Sequence, residues 1–410
     1  MNRWLFFWRS LSRQLWVRAT LYAATGVGAA LMAVFAAPWV PQAMAERLGG
    51  ESIDSILTIL ASSLLGVATF SVGAMVTAYT AVSQAATPRV AALVTSDAEV
   101  QKALATFVGA FLYAIVAVTA INANYYGQEG RAILFLFSLG VVCLVAVRLL
   151  TWINRLSSLA RVGHMIDLAE AQASQALRDQ CELPHLGGRP GHIDPAFVIL
   201  APRTGYVQNV DPARLQVAAE KLDCQVEVMA LPGAYVRAGD PIAALSCADC
   251  DDASNDAFCS GFTIGGQRSF DQDPRFGLIV LGEIAGKALS PGVNDPGTAI
   301  QVLGAAVRVL DEWNAARPMG GGDIRYSRLW APTVDDRDLV DDVFGPIARY
   351  GAGDVGVAVR LQKMLGKLVR AEGSLAAAAR RQSLEALDRA TLALALPADI
   401  ERVRRAARTG

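Results

Sequence analysis

No apolar run long enough to cross a bilayer occurs after Ile153, and none of the four before it carries a carboxylate or lysine at its centre. A proton-coupled pump normally keeps an Asp, Glu or His at mid-membrane, so this absence disfavours active transport against a passive pathway or none at all. The chain also lacks a phosphate-binding Gly-Lys-Ser/Thr loop and a Gly-x-Ser-x-Gly elbow, which removes two common enzyme signatures. Histidine is scarce at three residues, and His164 has no Ser or Cys partner in the pattern. Charge of one sign is lacking too: 37 Lys and Arg face 38 Asp and Glu, for a net charge of −1. With no long basic face, nucleic acid is excluded as the main partner. Six cysteines in a mostly cytoplasmic chain are expected as reduced thiols, without a disulfide framework.

Four apolar runs dominate the first part of the chain: about Ala19–Val40, Ile53–Val82, Ala103–Ile121 and Ala132–Ile153. Each is long enough to cross ~30 Å of hydrocarbon as a helix. Arg3, Arg9, Arg13 and Arg18 precede the first run, Arg89 and Lys102 lie between the second and third, and Arg148, Arg155 and Arg161 close the fourth. The other two loops are nearly balanced in charge. The positive-inside rule then places both termini in the cytoplasm of a multi-pass inner-membrane protein. Ala43-Met44-Ala45 imitates a signal-peptidase site, but the preceding run exceeds the usual length and three more follow, so an uncleaved first helix is expected.

The second run is the informative one. Ser55, Thr58, Ser62, Gly66, Thr69, Gly73, Thr77 and Thr80 recur every three or four residues as a small, weakly polar stripe on one helix face. Such a stripe permits close helix packing, or it lines a water-filled pathway with hydroxyls. At ~1.5 Å per residue the run is roughly 45 Å long, so the helix tilts or projects until Thr87-Pro88-Arg89 stops it.

Downstream, the pattern from Ile153 through Leu177 continues as a helical stalk, with a linker at 184–195. Phe197–Leu200, Gly205–Val210 and Gln225–Ala230 alternate as strands, with a short helix at Pro212–Leu222. Val355–Arg370, Gly373–Leu396 and Ala398–Ala407 read as three amphipathic or alanine-rich helices. Gly351-Ala352-Gly353-Asp354-Val355-Gly356 fits a dinucleotide pattern only on paper, because Asp336–Tyr350 before it reads as a helix and not a strand.

Ala201-Pro202-Arg203-Thr204-Gly205-Tyr206-Val207 with Gly233-x-x-Val236-x-x-Gly239-Asp240-Pro241-Ile242 resembles the barrel-sandwich hybrid of biotinyl and lipoyl carrier domains. Lys221, the nearby lysine, lacks the carrier motif's flanks, so no swinging arm is implied. Arg268-Ser269-Phe270-Asp271-Gln272-Asp273-Pro274 and Ser290-Pro291-Gly292-Val293-Asn294-Asp295-Pro296, after the four-helix start, resemble the bacterial predicted membrane proteins of domain of unknown function 2254. That resemblance covers nearly the whole chain and supports the topology without implying an activity.

Read physically, Pro291-Gly292 ends a helix, while Asn294 or Asp295 caps the next with Pro296 in its first turn. The amides there could bind a small anion beside Arg268, Arg275, Lys287, Ser290 and Thr298. Alternatively Asp271, Asp273 and Glu283 neutralise those bases in a structural network. A metal on Asp271, Asp273 and Asp295, or an enzyme using those acids with Lys287, is a third arrangement. Cys247, Cys250 and Cys259 are weak metal candidates, because a fourth ligand would have to come from His185 or His192 far upstream. Asp249, Asp251 and Asp252 around them suggest a polar loop.

The expected architecture is a four-helix transmembrane domain at 1–160, a stalk and linker at 161–195, a β-rich barrel-sandwich-like domain at 196–260 and a mostly helical domain at 261–410. The fold class is thus membrane α-helical plus a cytoplasmic α+β region. No cofactor is expected. The expected partners are the lipid bilayer, further copies of the chain and a small anion. The function expected first is an oligomeric channel or permeation pathway gated or assembled by the cytoplasmic domain. A membrane-anchored sensor or scaffold is the alternative.

Overall fold

The computed structural model describes residues 15–36, 52–85, 87–95, 98–159, 161–317 and 323–409. The charged start at Arg3, Arg9 and Arg13 and the Ala43-Met44-Ala45 segment lie outside the described residues. The chain divides into two units, one spanning Trp8–Arg161 and the other formed mainly by Val162–Gly410.

The first unit contains α1 (Leu15–Ala36), α2 (Ser52–Ala85), the short α3 (Pro88–Thr95), α4 (Ala98–Asn122) and α5 (Gln128–Leu159). Among the described residues three stretches are long and apolar enough to cross a membrane: Ile53–Val82, Glu99–Asn122 and Gln128–Leu156. The break after α2 follows from Pro88, whose ring excludes continuation; Thr87 Oγ1 accepts from Val90 N–H and opens α3 instead. α4 is the middle helix, contacted by α1, α2 and α5. Tyr113, Ala114, Ala117 and Ile121 on α4 share a buried cluster with Ile53, Leu57, Leu60 and Leu64 of α2 and Leu134 of α5. The Tyr113 hydroxyl donates to the Leu134 carbonyl at 3.3 Å and sits 2.9 Å from Ser138 Oγ, tying α4 to α5.

α1 crosses α4 at glycine. A Cβ on Gly109 would stand 2.9 Å from the Tyr22 carbonyl oxygen, and one on Gly26 would stand 2.8 Å from the Gly109 carbonyl oxygen. The backbones meet because neither residue carries a side chain. Gly109→Val is therefore expected to push α1 off α4 and to destabilise the first unit by about 1–3 kcal/mol. A thermal melt of the detergent-purified protein measures it; an unchanged melting temperature would contradict the close crossing.

The second unit starts with α6 (Val162–Glu182). Expected as a stalk, this helix instead buries Met165, Ile166, Ala169, Ala173 and Leu177. It packs on α9 (Phe276–Ala288) and α10 (Pro296–Ala316). A 3-10 turn at Pro184–Gly187 leads to strands β1 (Phe197–Leu200), β2 (Gly205–Val210), β3 (Val226–Val228), β4 (Tyr235–Val236) and β5 (Pro241–Leu245). Helix α7 (Pro212–Lys221) intervenes after β2, and α8 (Asp252–Cys259) precedes β6 (Phe262–Gly265); β7 (Leu329–Trp330) comes much later. One sheet has the order β1-β5-β3-β7 and the other β4-β2-β6. All pairings are antiparallel except β3 with β7. Both sheets bury Ile199, Val207, Val226, Ile242, Leu245, Phe258 and Ile264 in one cluster. β6 and β7 lie beyond the expected 196–260 segment, so that segment does not close its own core.

Asp249–Asp252, expected as a polar loop, runs into α8, where the Asp251 carboxylate accepts from Ser254 N–H at 2.9 Å. The remainder is helical: α11 (Asp336–Tyr350), α12 (Val355–Val369), α13 (Ser374–Ala393) and α14 (Pro397–Thr409). Gly351 and Gly353 lie in the turn between α11 and α12, with Asp354 accepting from Val357 N–H at 2.9 Å.

Candidate functional site

The stripe on α2 faces away from the helices that pack against α2. Ser55, Thr58, Ser62, Gly66, Thr69, Gly73, Thr77 and Thr80 are all exposed. Ile53, Leu57, Leu60, Leu64, Ser71, Ala78 and Val82 are buried on the opposite side. At 100° per residue the two sets lie roughly 175° apart, so α2 packs within its own chain by its apolar ridge and turns the small, hydroxylated face outward. Ser62 Oγ donates to the Thr58 carbonyl at 2.9 Å, Thr69 to Leu65 at 2.9 Å, Thr77 to Gly73 at 3.0 Å and Thr80 to Val76 at 3.0 Å. These back-bonds satisfy the hydroxyl protons locally and leave oxygen lone pairs facing outward. A Cβ added at Gly66 or Gly73 would meet nothing within 4 Å.

In the second unit, the Arg268–Asp273 segment folds around one buried carboxylate. Asp273 is 1% exposed at its side chain. Arg268 grips it with Nε at 2.7 Å from Oδ2 and Nη2 at 2.9 Å from Oδ1. The same Oδ1 accepts from Arg275 N–H at 3.1 Å and Phe276 N–H at 3.2 Å, capping α9. Gly233, at φ +93°, passes so close that a Cβ there would collide with Asp273 Oδ2 at 2.5 Å. Only glycine fits both that backbone conformation and that approach. Arg268 also lies over the Phe276 ring at 5.4 Å. Gln272 completes the turn, accepting from Val210 N–H at 2.7 Å and donating to its carbonyl at 3.1 Å. Asp271 is held by the Ser269 hydroxyl at 2.6 Å.

Arg275 points elsewhere. Its Nε and Nη2 donate to Asp342 at 2.8 and 2.9 Å and its Nη1 donates to Asp338 at 2.6 Å, which locks α9 to α11. Burial pushes the Asp342 carboxyl above its usual range, opposed by the Arg275 guanidinium. The two arginines expected as anion companions are thus each forked onto a carboxylate.

The Ser290–Thr298 segment lies at the other end of α9. Thirteen residues of helix separate the two places, or ~20 Å. Asn294, with φ +51°, makes the turn. Asp295 Oδ1 accepts from Thr298 N–H at 3.1 Å, and Thr298 Oγ1 donates to Oδ2 at 2.6 Å. Ser290 Oγ donates to the Lys287 carbonyl at 2.6 Å. Residues 291–295 are exposed. The structure therefore does not bring Asp271, Asp273 and Asp295 together, and the expected grouping of Arg268 and Arg275 with Ser290, Asn294, Asp295 and Thr298 in one site is corrected by that separation.

The Thr298 hydroxyl, then its amide, holds the Asp295 carboxyl below the usual range. A lowered folded pKa means that this cap stabilises at neutral pH and loses its contribution as the pH falls through the folded value. Asp295→Ala is expected to cost about 1 kcal/mol at neutral pH. Chemical denaturation of wild type and variant at neutral and acid pH measures it, and an equal difference at both would contradict the capping role.

The cysteine group is larger than the sequence pattern. Cys247, Cys250 and Cys259 pack against the β cluster in which Cys224 is buried. The thiols of Cys247, Cys250 and Cys259 point to the carbonyls of Asp249, Asp251 and Leu200 at 3.8, 3.8 and 3.6 Å. Among the described residues no three His, Cys, Asp or Glu side chains converge in a metal-binding arrangement. His185 and His192 face the Ala331 carbonyl at 2.7 Å and Glu227 Oε1 at 2.5 Å.

One feature of the unit has no sequence motif. A cavity of about 500 Å³ is lined by Cys181, His185, Trp313, Arg317, Asp336 and Ser374 among others. Asp336 accepts from Trp313 Nε1 at 2.9 Å, from Ser374 Oγ at 2.6 Å and from Arg317. Burial holds the Arg317 guanidinium below its usual range. His185 and Leu186 both sit at positive φ, +54° and +57°, which places a strained turn at the cavity wall. The lining draws on α6, α10, α11 and α13, so no local spacing could reveal it.

Comparison with known proteins gives a family and distant relatives. The family described as predicted membrane protein (DUF2254) matches residues 12–367. The uncharacterized protein Mb1321c of Mycobacterium bovis is 31% identical over 188 residues, covering 43% of this chain and 35% of that protein. The uncharacterized protein Rv1290c of Mycobacterium tuberculosis matches with the same identity and the same coverage. The matched stretch therefore spans about a third of the length of these relatives, as the 35% coverage states. No solved structure matches significantly.

Proposed function

Because the chain belongs to the DUF2254 family of predicted membrane proteins, we propose that it is a multi-pass inner-membrane protein whose protomers assemble into a passive permeation pathway. The observation that carries this reading is the outward stripe on α2, exposed at each of its eight positions opposite the buried ridge. In this reading α1 is the fourth span and both termini are cytoplasmic, in keeping with the basic residues at the ends of the runs. The α2 helices of several copies meet near an axis. The second unit lies in the cytoplasm and gates or assembles the pathway, its two small sheets serving as a barrel-sandwich-like module without a carrier lysine.

The chemistry fits a passive route. Back-bonded hydroxyls and bare glycine backbone offer weak oxygen ligands without a fixed charge, which lets a solute enter and leave without deep trapping. Ser62→Leu, Gly66→Leu and Thr69→Leu together are expected to abolish flux from liposomes. Unchanged flux from the triple variant would remove the stripe from the pathway.

A second reading is favoured by the cavity of about 500 Å³ in the second unit. Its size suits a small ligand, and a membrane-anchored sensor would use it without any conduction. That reading predicts ligand-dependent stabilisation of the full-length protein and no flux.

A further inference from the structure

We propose that Cys224 and Cys247 form a cross-strand dithiol, a modification site that a low-molecular-weight disulfide converts to an intramolecular disulfide. The register places them. β3 and β5 pair Val226 with Leu245, Glu227 with Ala244 and Val228 with Ala243. One step beyond Val226 and Leu245, Ser246 N–H donates to the Gln225 carbonyl at 3.1 Å, and Gln225 N–H donates to Ser246 Oγ at 2.8 Å. Gln225 and Ser246 are therefore a hydrogen-bonded pair, and the next residues, Cys224 and Cys247, fall opposite each other at a position without ladder bonds. Non-bonded pairs of an antiparallel ladder bring Cα atoms to about 4.5 Å, with side chains on the same face in contact. That spacing lies inside the range of about 4.4–6.8 Å that a disulfide spans.

Side-chain direction agrees with the register. Cys224 and Val226 face the same buried cluster, as do Leu245 and Cys247. Burial, and then the neighbouring Cys247 thiol, pushes the Cys224 thiol up to about 12. Cys224 is 2% exposed, whereas Cys247 is only partly buried. The order of events follows. The Cys247 thiolate attacks one sulfur of the reagent disulfide, forming a mixed disulfide and releasing one small thiolate. Cys224, losing its proton to solvent base, then attacks Cys247 Sγ and expels the second small thiolate. Two protein thiols are oxidised to one disulfide, the reagent is reduced to two thiols, and the two protons are taken up by those thiolates. Cys250 is the competing resolver, three residues away, with its thiol also raised by burial.

The test uses the full-length protein in detergent, titrated with oxidised glutathione, quenched by alkylation and mapped by mass spectrometry. The expected product is a Cys224–Cys247 linked peptide, with closure accelerating about tenfold per pH unit below the Cys224 pKa. Cys224→Ser and, as a second variant of the buried position, Cys224→Ala are expected to stop at a glutathione adduct on Cys247. Cys250→Ser is expected to leave the linkage intact. A Cys247–Cys250 linkage in wild type, or a stable adduct on Cys247 without closure, would overturn the proposal.

Discussion

Asp273→Asn is expected to lower the stability of the second unit by about 3–5 kcal/mol, the largest single-residue effect in that unit. The substitution keeps the shape and removes the charge. Arg268, only 20% exposed at its side chain, then loses the carboxylate that grips it twice. The Arg275 and Phe276 amides lose a charged acceptor at the start of α9. Because Gly233 is pressed against the same carboxylate, the defect reaches the turn before β4 as well. The measurement is chemical denaturation of the full-length protein in detergent, followed by tryptophan fluorescence. If the segment were a ligand site with a merely incidental ion pair, Asp273→Asn would melt like wild type and change only binding. A loss well below 1 kcal/mol would contradict the structural reading.

The second large effect concerns assembly. If copies assemble through this face as proposed, Gly66→Leu combined with Gly73→Leu is expected to leave the chain folded but monomeric. The separation of the two outcomes rests on geometry: a Cβ at either position meets nothing within 4 Å inside the protomer. Two bulky side chains on the stripe therefore injure only what lies outside the protomer, where close helix approach depends on small residues. Gly109→Val is the internal contrast, because its Cβ runs into the Tyr22 backbone at 2.9 Å and disturbs the protomer itself. Mass measurement of the detergent-purified variants, with helicity as the folding check, distinguishes the two. An intact oligomer in the Gly66 and Gly73 double variant would exclude the stripe as the contact between copies.

Much of the architecture is legible in the sequence because hydrophobic length and period are local. Ile53–Val82 announces α2, and Pro88 its end. The alternation in Gly205–Val210 announces β2, and Pro212 with Asp211 before it announces α7. What sequence could not give is set by contacts between distant residues. α6 looks like a stalk because its apolar positions have no partner nearby in the chain; their partners are α9 and α10. α8 is hidden because three acidic residues resemble a loop until Asp251 is seen as its cap.

The sites divide in the same way. The small-residue period of the stripe is visible, but that it faces away from its own protomer depends on which face α4 covers. Arg268 and Asp273 are five residues apart and both stand out in the sequence, but which base meets which acid is set by the fold. Arg275 meets Asp342 across 67 positions, and nothing local marks that partnership. Cys224 belongs to no local motif with Cys247-x-x-Cys250 because it comes from the opposite strand. Ser374 reaches Asp336 across 38 positions, which is why the cavity had no signature.

The central claim is that the outward face of α2 lines a water-filled pathway between copies. It is tested most directly by placing single cysteines along α2, in a background with the six native cysteines replaced, and recording flux from liposomes before and after a charged, membrane-impermeant thiol reagent. The account predicts that cysteines at Ser55, Ser62, Thr69 and Thr77 react and block flux, while those at Leu57 and Leu64 on the buried ridge do neither. Stripe cysteines that stay unreactive in a folded, conducting protein would contradict it, and would leave the stripe outside the pathway.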